Sequence, residues 1–379
     1  MARNLPLKVL LVAEGSGGHL IPALQVADTL AKTGATIKVW YAQRRQVASL
    51  SNALTQAHVH DHIEVDPILV ESGSNPMARL WQCGQLWYRA QRCFNTFAPD
   101  VVVGFGGWVS APIVLAAKRR RIGCLLHEQN VTMGKANRWL SRWADRVAVS
   151  FQETQQLPEG TRSVVTGMPV RTGIGTMSRV EAAVQYQLDP SRPTVLVLGG
   201  SQGARTINCL MIDVAAAMAP RERAVWQILH MTGVADERAV KDAYTAHHLA
   251  AWVAPYLVHM DAAYALADLV IARAGASTIA ELARCGTPAI LIPYPGADAH
   301  QRANAKVAET CGGAVMCEEA QVTSQRLLDA MQRILRDERL RRIMGAQMRT
   351  LHRDHADEQL TEVIVEMAQA RTYQEQGCV

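Results

Sequence analysis

The chain has 379 residues, too many for one ordinary hydrophobic core, so its length predicts two domains. Hydrophobic residues make up 49% and charged residues 19%, which excludes a disordered chain. The 39 Lys and Arg against 34 Asp and Glu leave a net charge of +5, which suits an anionic substrate or lipid surface and does not argue for nucleic acid. None of the eight cysteines forms a CxxC pair, which predicts reduced core thiols in a cytoplasmic protein. The opening MARNLPLKVLLVAEG is too briefly apolar for a signal peptide, and no later run is long enough to span a bilayer.

Lys8 to Ala13 predicts a first strand, followed by the turn Glu14-Gly15-Ser16-Gly17-Gly18-His19 and a helix from about Ile21 to Lys32. The dinucleotide fingerprint is excluded, because Leu20 stands where its third glycine would fall and no acidic residue ends the next strand, Ile37 to Tyr41. His19, taken alone, reads as a helix-cap residue. Between Pro67 and Phe97, Met77, Leu80, Trp81, Leu86, Trp87 and Phe94 alternate with Arg79, Arg89 and Arg92 at helical spacing. That pattern fits an interfacial helix on anionic lipid or, equally, a core stripe with a solvated arginine face. Asp100 to Val103 predicts a strand ending in a second glycine turn, Gly104-Phe105-Gly106-Gly107-Trp108, and the helix after it closes in Lys118-Arg119-Arg120-Arg121. The strand Cys124 to Leu126 runs into His127-Glu128-Gln129-Asn130, four polar residues at a strand's carboxyl end and hence site candidates.

Gly167 to Thr194 shows no hydrophobic period, and the domain boundary is placed there. The plan then repeats: strand Thr194 to Leu198, the phosphate-type loop Gly199-Gly200-Ser201-Gln202-Gly203-Ala204, and helix Arg205 to Ala217. Leu269 to Ala272 predicts a buried strand, after which Ser277 or Thr278 can cap a helix carrying Glu281 and closed by Gly286. A strand, Ala289 to Ile292, and a helix near Gln301 with Asn304 in its first turns follow. Both turns open on one sheet edge, where helix amides favour a phosphate and Glu281 can accept from a ribose diol. A capped helix between core strands explains everything here except the polar cluster Arg273, Thr278, Glu281, Gln301 and Asn304.

Seven segments carry a resemblance: GSGGHLIPA (Gly15 to Ala23), GFGGWVSAP (Gly104 to Pro112), HEQN…GKANRWL (His127 to Leu140), GMPVR (Gly167 to Arg171), GGSQGARTIN (Gly199 to Asn208), RAGASTIAEL (Arg273 to Leu282) and DAHQRANA (Asp298 to Ala305). In kind and order they resemble the bacterial MurG family across almost the whole chain. The resemblance implies an α/β fold of two Rossmann-like domains facing across a cleft, the GT-B glycosyltransferase fold. The first domain would span 1–168 and the second 169–352, with a C-terminal helix at about 353–371 packing back on the first. The implied activity is inverting transfer of N-acetylglucosamine from UDP-N-acetylglucosamine to the muramoyl-pentapeptide on undecaprenyl diphosphate. The implied place is the cytoplasmic face of the inner membrane, held peripherally on an anionic surface, beside other cell-wall or division proteins.

Residue by residue, Ser16, Gly17, Gly18 and Asn130 resemble donor contacts, and Arg171 and Ser201 contacts to the diphosphate side. Ala276, Ser277, Thr278, Ile279, Ala280 and Glu281 resemble the stretch holding diphosphate and ribose, with Glu281 on the diol. Gln301 resembles the glutamine on the sugar hydroxyls, and Leu257 a residue whose backbone pairs with uracil. Met168 departs from the asparagine frequent in the family, and Ser277 from its usual residue. The acceptor hydroxyl needs a base, for which His19 and the His127–Glu128 pair are the candidates; the resemblance favours His19. No Asp-x-Asp pair occurs, so no metal clamp or other cofactor is expected. Trp81, Trp87, Arg119 and Arg120 are the expected membrane contacts. The alternatives are a UDP-sugar epimerase, another transferase of the same fold, and a non-catalytic scaffold; an epimerase would not need the amphipathic segment at 67–97.

Overall fold

The computed structural model describes residues 6–43, 62–70, 76–200, 203–296 and 300–376. It divides into two units, Met1–Arg171 with Arg353–Val379, and Thr172–His352.

Unit 1 is built on strands β1 (Lys8–Glu14), β2 (Thr36–Gln43), β3 (Ile63–Leu69), β4 (Val101–Gly104), β5 (Gly123–Glu128), β6 (Arg146–Val149) and β7 (Ser163–Val165). All pair in parallel, in the order β3-β2-β1-β4-β5-β6-β7. Parallel strands need crossovers that cover the sheet, so its central strands are apolar on both sides: Val9, Leu10, Leu11 and Val12 are all fully buried. The helices are α1 (Gly17–Lys32), α2 (Pro76–Thr96), α3 (Ser110–Arg119) and α4 (Lys135–Leu140).

Unit 2 repeats the winding with β8 (Thr194–Leu198), β9 (Gln227–Met231), β10 (Ala250–Ala254), β11 (Leu269–Ala272), β12 (Ala289–Leu291) and β13 (Ala314–Met316), in the order β10-β9-β8-β11-β12-β13. Its helices are α5 (Arg179–Tyr186), α6 (Arg205–Ala217), α7 (Pro220–Val225), α8 (Glu237–Ala246), α9 (Met260–Leu266), α10 (Ala276–Cys285), α11 (His300–Thr310), α12 (Ser324–Arg336) and α13 (Glu338–Arg349). A last helix, α14 (Ala356–Gln376), belongs to unit 1, where Leu360, Val363, Ile364 and Met367 join the core of α1 and Thr29 donates to Asp357 at 2.6 Å. In each sheet the strand order reverses beside the first strand, at β1/β4 and at β8/β11, and these switch points are where such sheets bind ligands.

Several elements differ from the sequence expectation. β5 continues through His127 and Glu128, which are strand residues rather than a polar loop. α1 begins at Gly17, so His19 lies within its first turn. The passage after Gly167 contains α5, eight residues long and too short to display a period, yet opened by a Ser178–Glu181 capping box. Pro67 lies in β3, and the amphipathic helix starts only at Pro76.

α13 lies directly on the end of α10: a Cβ added at Gly345 would fall 2.3 Å from the Gly286 carbonyl oxygen. Helix propensity alone favours alanine over glycine by about 1 kcal/mol. The Gly345→Ala variant is nevertheless expected to be less stable by about 1–3 kcal/mol, because the added carbon must push two backbones apart. Urea unfolding of the purified variant checks the sign.

Candidate active site

The helices that open at the two switch points share one feature. α1 is capped by Ser16, α3 by Val109, α6 by Ala204 and α10 by Gly275, and in none does the cap side chain bond to the helix. At α1, α6 and α10 the first amides have no side-chain acceptor at the cap and suit an anion, whereas at α3 the Ser110 and Ala111 amides donate to the Gly107 and Trp108 carbonyls. By contrast Ser178, Thr323 and Asp337 accept backbone amides at the starts of α5, α12 and α13.

In unit 1 the Ser16 hydroxyl is turned to His19, with Oγ 2.8 Å from Nδ1. When Nδ1–H donates to Ser16, the lone pair sits on Nε2, as a base requires. The second glycine turn closes on this pair. Gly106 and Gly107 have φ of +88° and +80°; a Cβ at Gly106 would fall 3.1 Å from the His19 ring, and one at Gly107 would fall 2.1 Å from Glu14. Only glycine fits both the backbone and the space.

The other base candidates are corrected by their surroundings. His127 is fully buried, and burial lowers its pKa to about 4. Gln129 Nε2 donates to its Nδ1 at 3.1 Å, and its Nε2 lies 3.2 Å from the Gly167 carbonyl, so both ring nitrogens are engaged within the fold. Glu128 is equally occupied. Its carboxylate accepts from Asn130 N at 3.0 Å, Asn130 Nδ2 at 3.2 Å, Gly134 N at 3.0 Å and Asn137 Nδ2 at 2.8 Å. Both side chains are hydrogen-bonded within the fold, Glu128 to the 130–137 loop and His127 to Gln129 and Gly167. Arg171 ends unit 1, and its Nε is buried without a partner.

In unit 2, Ser277 and Thr278 do not cap α10; both follow its first residue, and Gly275 is the cap. Ser277 Oγ is buried and without a partner among the described residues. Ala276, Ile279 and Ala280 are buried along the same turn. Glu281 is buried one turn further on, where Tyr264 donates to its Oε2 at 3.0 Å. The rest of the expected polar cluster frames the turn. Arg273 pairs with Glu319 and donates to the Ile292 carbonyl at 3.1 Å, and Asn304 Nδ2 donates to the Ala274 carbonyl at 3.1 Å. Gln301 stands in the first turn of α11, its Oε1 accepting from Tyr294 N at 3.0 Å. Leu257 lies in the loop between β10 and α9, its side chain buried and its peptide groups outside the loop's backbone hydrogen bonds. Ser201 lies outside the described residues.

Tyr264, which carried no sequence signal, completes the site by reaching Glu281, while Gln129 and Asn137, inside the HEQN…GKANRWL segment, bond to His127 and Glu128. Behind the β8 turn, His230 is buried between Tyr244 OH (2.8 Å to Nδ1) and Asn208 Oδ1 (3.0 Å to Nε2), while Asn208 Nδ2 donates to the Thr232 carbonyl at 2.9 Å and to Asp236 at 2.8 Å. A Cβ on Gly203 of the turn would fall 2.2 Å from that Thr232 carbonyl.

The amphipathic helix α2 also resolves. Leu86, Ala90, Cys93 and Phe94 are buried, whereas Met77, Leu80, Trp81 and Tyr88 form one stripe, 72%, 68%, 70% and 65% exposed. Trp87, expected at the membrane, is partly buried and packs against the unit 1 cluster. Arg120 bonds at 2.8 Å to Gln91, about 15 Å along the helix from Trp81 and one turn beyond Tyr88, so it stands at the C-terminal end of the stripe. Arg89 stacks on Trp40 at 4.7 Å and pairs with Asp66 at 3.6 Å. No helix among the described residues is long and apolar enough to cross a membrane.

Two parallel α/β units with open helix N-termini at their switch points define a nucleotide-sugar glycosyltransferase of the GT-B type. Residues 9–149 match the glycosyltransferase family 28 N-terminal domain and residues 194–372 its C-terminal domain. Two UDP-N-acetylglucosamine--N-acetylmuramyl-(pentapeptide) pyrophosphoryl-undecaprenol N-acetylglucosamine transferases are similar over most of their length. That of Desulforamulus reducens is 34% identical, covering 92% of this chain and 96% of its own; that of Frankia casuarinae is 37% identical, covering 89% and 90%. The crystal structure of Acinetobacter baumannii MurG superposes with a TM-score of 0.73 at 29% identity, covering 95% of this chain and all of that one. A UDP-GlcNAc 2-epimerase from Neisseria meningitidis, at 13% identity and a TM-score of 0.67, shares the fold alone. The chain belongs to the MurG family and is an N-acetylglucosaminyltransferase.

The two buried histidines make stability pH-dependent. Burial lowers His127 to about 4 and His230 to about 3, against 6.5 for the ordinary side chain. Below pH 6.5 the unfolded chain takes up protons that the folded chain refuses, so stability is full above 6.5 and falls as the pH drops toward 4. Urea unfolding between pH 7.5 and 4.5 is expected to show this slope, reduced by up to one proton in His127→Gln.

Proposed function

We propose that the enzyme transfers N-acetylglucosamine from UDP-N-acetylglucosamine to an undecaprenyl-pyrophosphoryl-N-acetylmuramoyl-pentapeptide, with inversion at the anomeric carbon. The observation that carries the donor side is α10: an N-terminus with no side-chain cap, followed one turn on by a carboxylate already oriented by Tyr264. The amides favour the diphosphate, and Glu281 accepts from the ribose diol. Leu257, with its peptide groups outside the loop's hydrogen bonds, suits an edge of uracil, and Gln301 suits the sugar hydroxyls. Charge grows on the diphosphate as the glycosidic bond breaks, and fixed amide dipoles stabilise that charge without reorganising. Arg171, and Ser201 by family resemblance, add to the same side. Ser16, Gly17, Gly18 and Asn130 are read as unit 1's share of the donor contacts.

His19 is the base for the acceptor hydroxyl. It is the one of the three candidates whose surroundings leave it partly exposed at the carboxyl edge, and with Nδ1–H donated to Ser16 its Nε2 carries the lone pair. The exposed stripe of α2 starts eight residues after β3 ends, on the sheet edge that carries the glycine turns, and is read as the contact with the lipid carrying the acceptor. The enzyme then works as a peripheral protein on the cytoplasmic face, where the nucleotide donor is made. No metal is assigned a role.

Purified enzyme with UDP-N-acetylglucosamine and the lipid-linked acceptor is expected to form the disaccharide lipid in EDTA. Release of an epimerised UDP-sugar without acceptor, or activity restored only by a divalent ion, would contradict this. His19→Ala is expected to lower kcat by about 10²–10⁴ with donor KM little changed. Glu281→Ala should instead raise donor KM by about 10–100-fold, the loss of hydrogen bonds to a charged group.

For the membrane contact, Met77→Ser, Leu80→Ser, Trp81→Ser is expected to abolish sedimentation with anionic liposomes while leaving donor affinity unchanged. Undiminished sedimentation would return the stripe to an ordinary solvated face.

A further inference from the structure

At the amino edge of the unit 2 sheet, the end opposite the glycine-rich turns, lies a cavity of about 640 Å³. The turn from α10 to β12 and the length of α13 form its walls, and Arg284, Arg341, Arg342 and Arg349 line it with two carboxylates, Asp268 and Glu338. Both carboxylates are neutralised. Asp268 pairs with Arg179 at 2.8 Å and accepts from Thr194 N, and Glu338 pairs with Arg342 at 2.7 Å.

The other three arginines have no carboxylate partner among the described residues. Arg284 Nε donates to the Ile174 carbonyl at 2.6 Å, Arg349 Nη2 to that of Cys285 at 3.1 Å, and Arg341 Nη1 to those of Ile334 and Leu335. Neutral carbonyls hold a guanidinium in place without cancelling its charge, and each guanidinium has five N–H donors. Capping a helix end explains both bonds of Arg341 and the one of Arg349; it explains neither the gathering of three uncompensated cations nor the space between them.

The cations are also fixed in position. A Cβ at Gly286 would fall 2.4 Å from Arg349 Nε, and one at Gly175 would fall 3.5 Å from Arg284 Cγ, so both stems lie along bare backbone. That preorganisation removes much of the ordering entropy a ligand would otherwise oppose.

We infer that this cavity is an anion site for a phosphate-bearing ligand, held by Arg284, Arg341 and Arg349. Planar guanidinium forks match phosphate oxygens two at a time, and the volume accommodates a small phosphorylated molecule or a lipid headgroup. The site is separate from the donor turns and does not depend on their assignment.

The test uses the full chain with saturating UDP, so that the donor turns are occupied. Inorganic pyrophosphate is titrated calorimetrically, and phosphatidylglycerol vesicles are tested by co-sedimentation, each with the wild type and with Arg284→Gln/Arg349→Gln. A soluble source is supported if the variant weakens pyrophosphate binding by at least about tenfold. A lipid source is supported if the same variant loses a comparable share of vesicle binding instead. Equal binding of both probes by variant and wild type, or binding of neither by the wild type, overturns the inference. Phenylglyoxal labelling of the wild type keeps the test independent of how the variant folds. Arg284 and Arg349 must be protected by whichever probe binds, and unprotected labelling overturns the inference. Failure of UDP to bind would count against the donor reading alone.

Discussion

Everything at the two switch points depends on helix amides that the protein leaves without side-chain partners. A helix start exposes four N–H groups, which Ser, Thr, Asp or Asn at the cap can satisfy. This chain does so at α5, α12 and α13. At α6 and α10 the cap positions carry Ala204 and Gly275, which have no side-chain acceptor, and at α1 the hydroxyl of Ser16 is drawn away to His19. The amides at the switch points are thereby available to the leaving diphosphate, the group on which charge accumulates during transfer.

Keeping those turns open requires close packing behind them. The glycines of the second turn are needed by the first, since Gly106 and Gly107 make room for His19 and Glu14. Polar residues that resemble reactants in sequence supply the frame. Glu128 gathers four donors, Arg273 is neutralised by Glu319, and Asn304 ties one turn to the next helix. A buried network of this kind resists rearrangement, because breaking a bond leaves another group unpaired in a low dielectric. Rigidity is what a site that works by fixed dipoles needs.

α2 shows the same division of labour on a single helix. Its C-terminal half is anchored by Leu86, Ala90, Cys93 and Phe94, so its N-terminal turns can carry Met77, Leu80 and Trp81 in the open without loosening the unit. Leu86 and Trp81 stand five residues apart and face opposite ways, which helical geometry requires.

Much of this was legible in the sequence. Runs of β-branched residues ending in glycine turns mark parallel strands that open on one edge, and their repetition in both halves marks two Rossmann-like units; local propensity and backbone sterics suffice for that. The glycine turns and Glu281 could be singled out because their chemistry is unusual where they stand, whereas His19 is singled out by family resemblance alone. What the sequence could not decide was which polar residues are already used. His127 and Glu128 look as reactive as His19 on the page, and Trp87 as exposed as Trp81. Their roles depend on partners distant in the chain: Gly167 beside His127, Asn137 beside Glu128, and the core of α3 beneath Trp87. Hydrogen-bond saturation and burial are properties of neighbours in space, and only the tertiary structure supplies those neighbours.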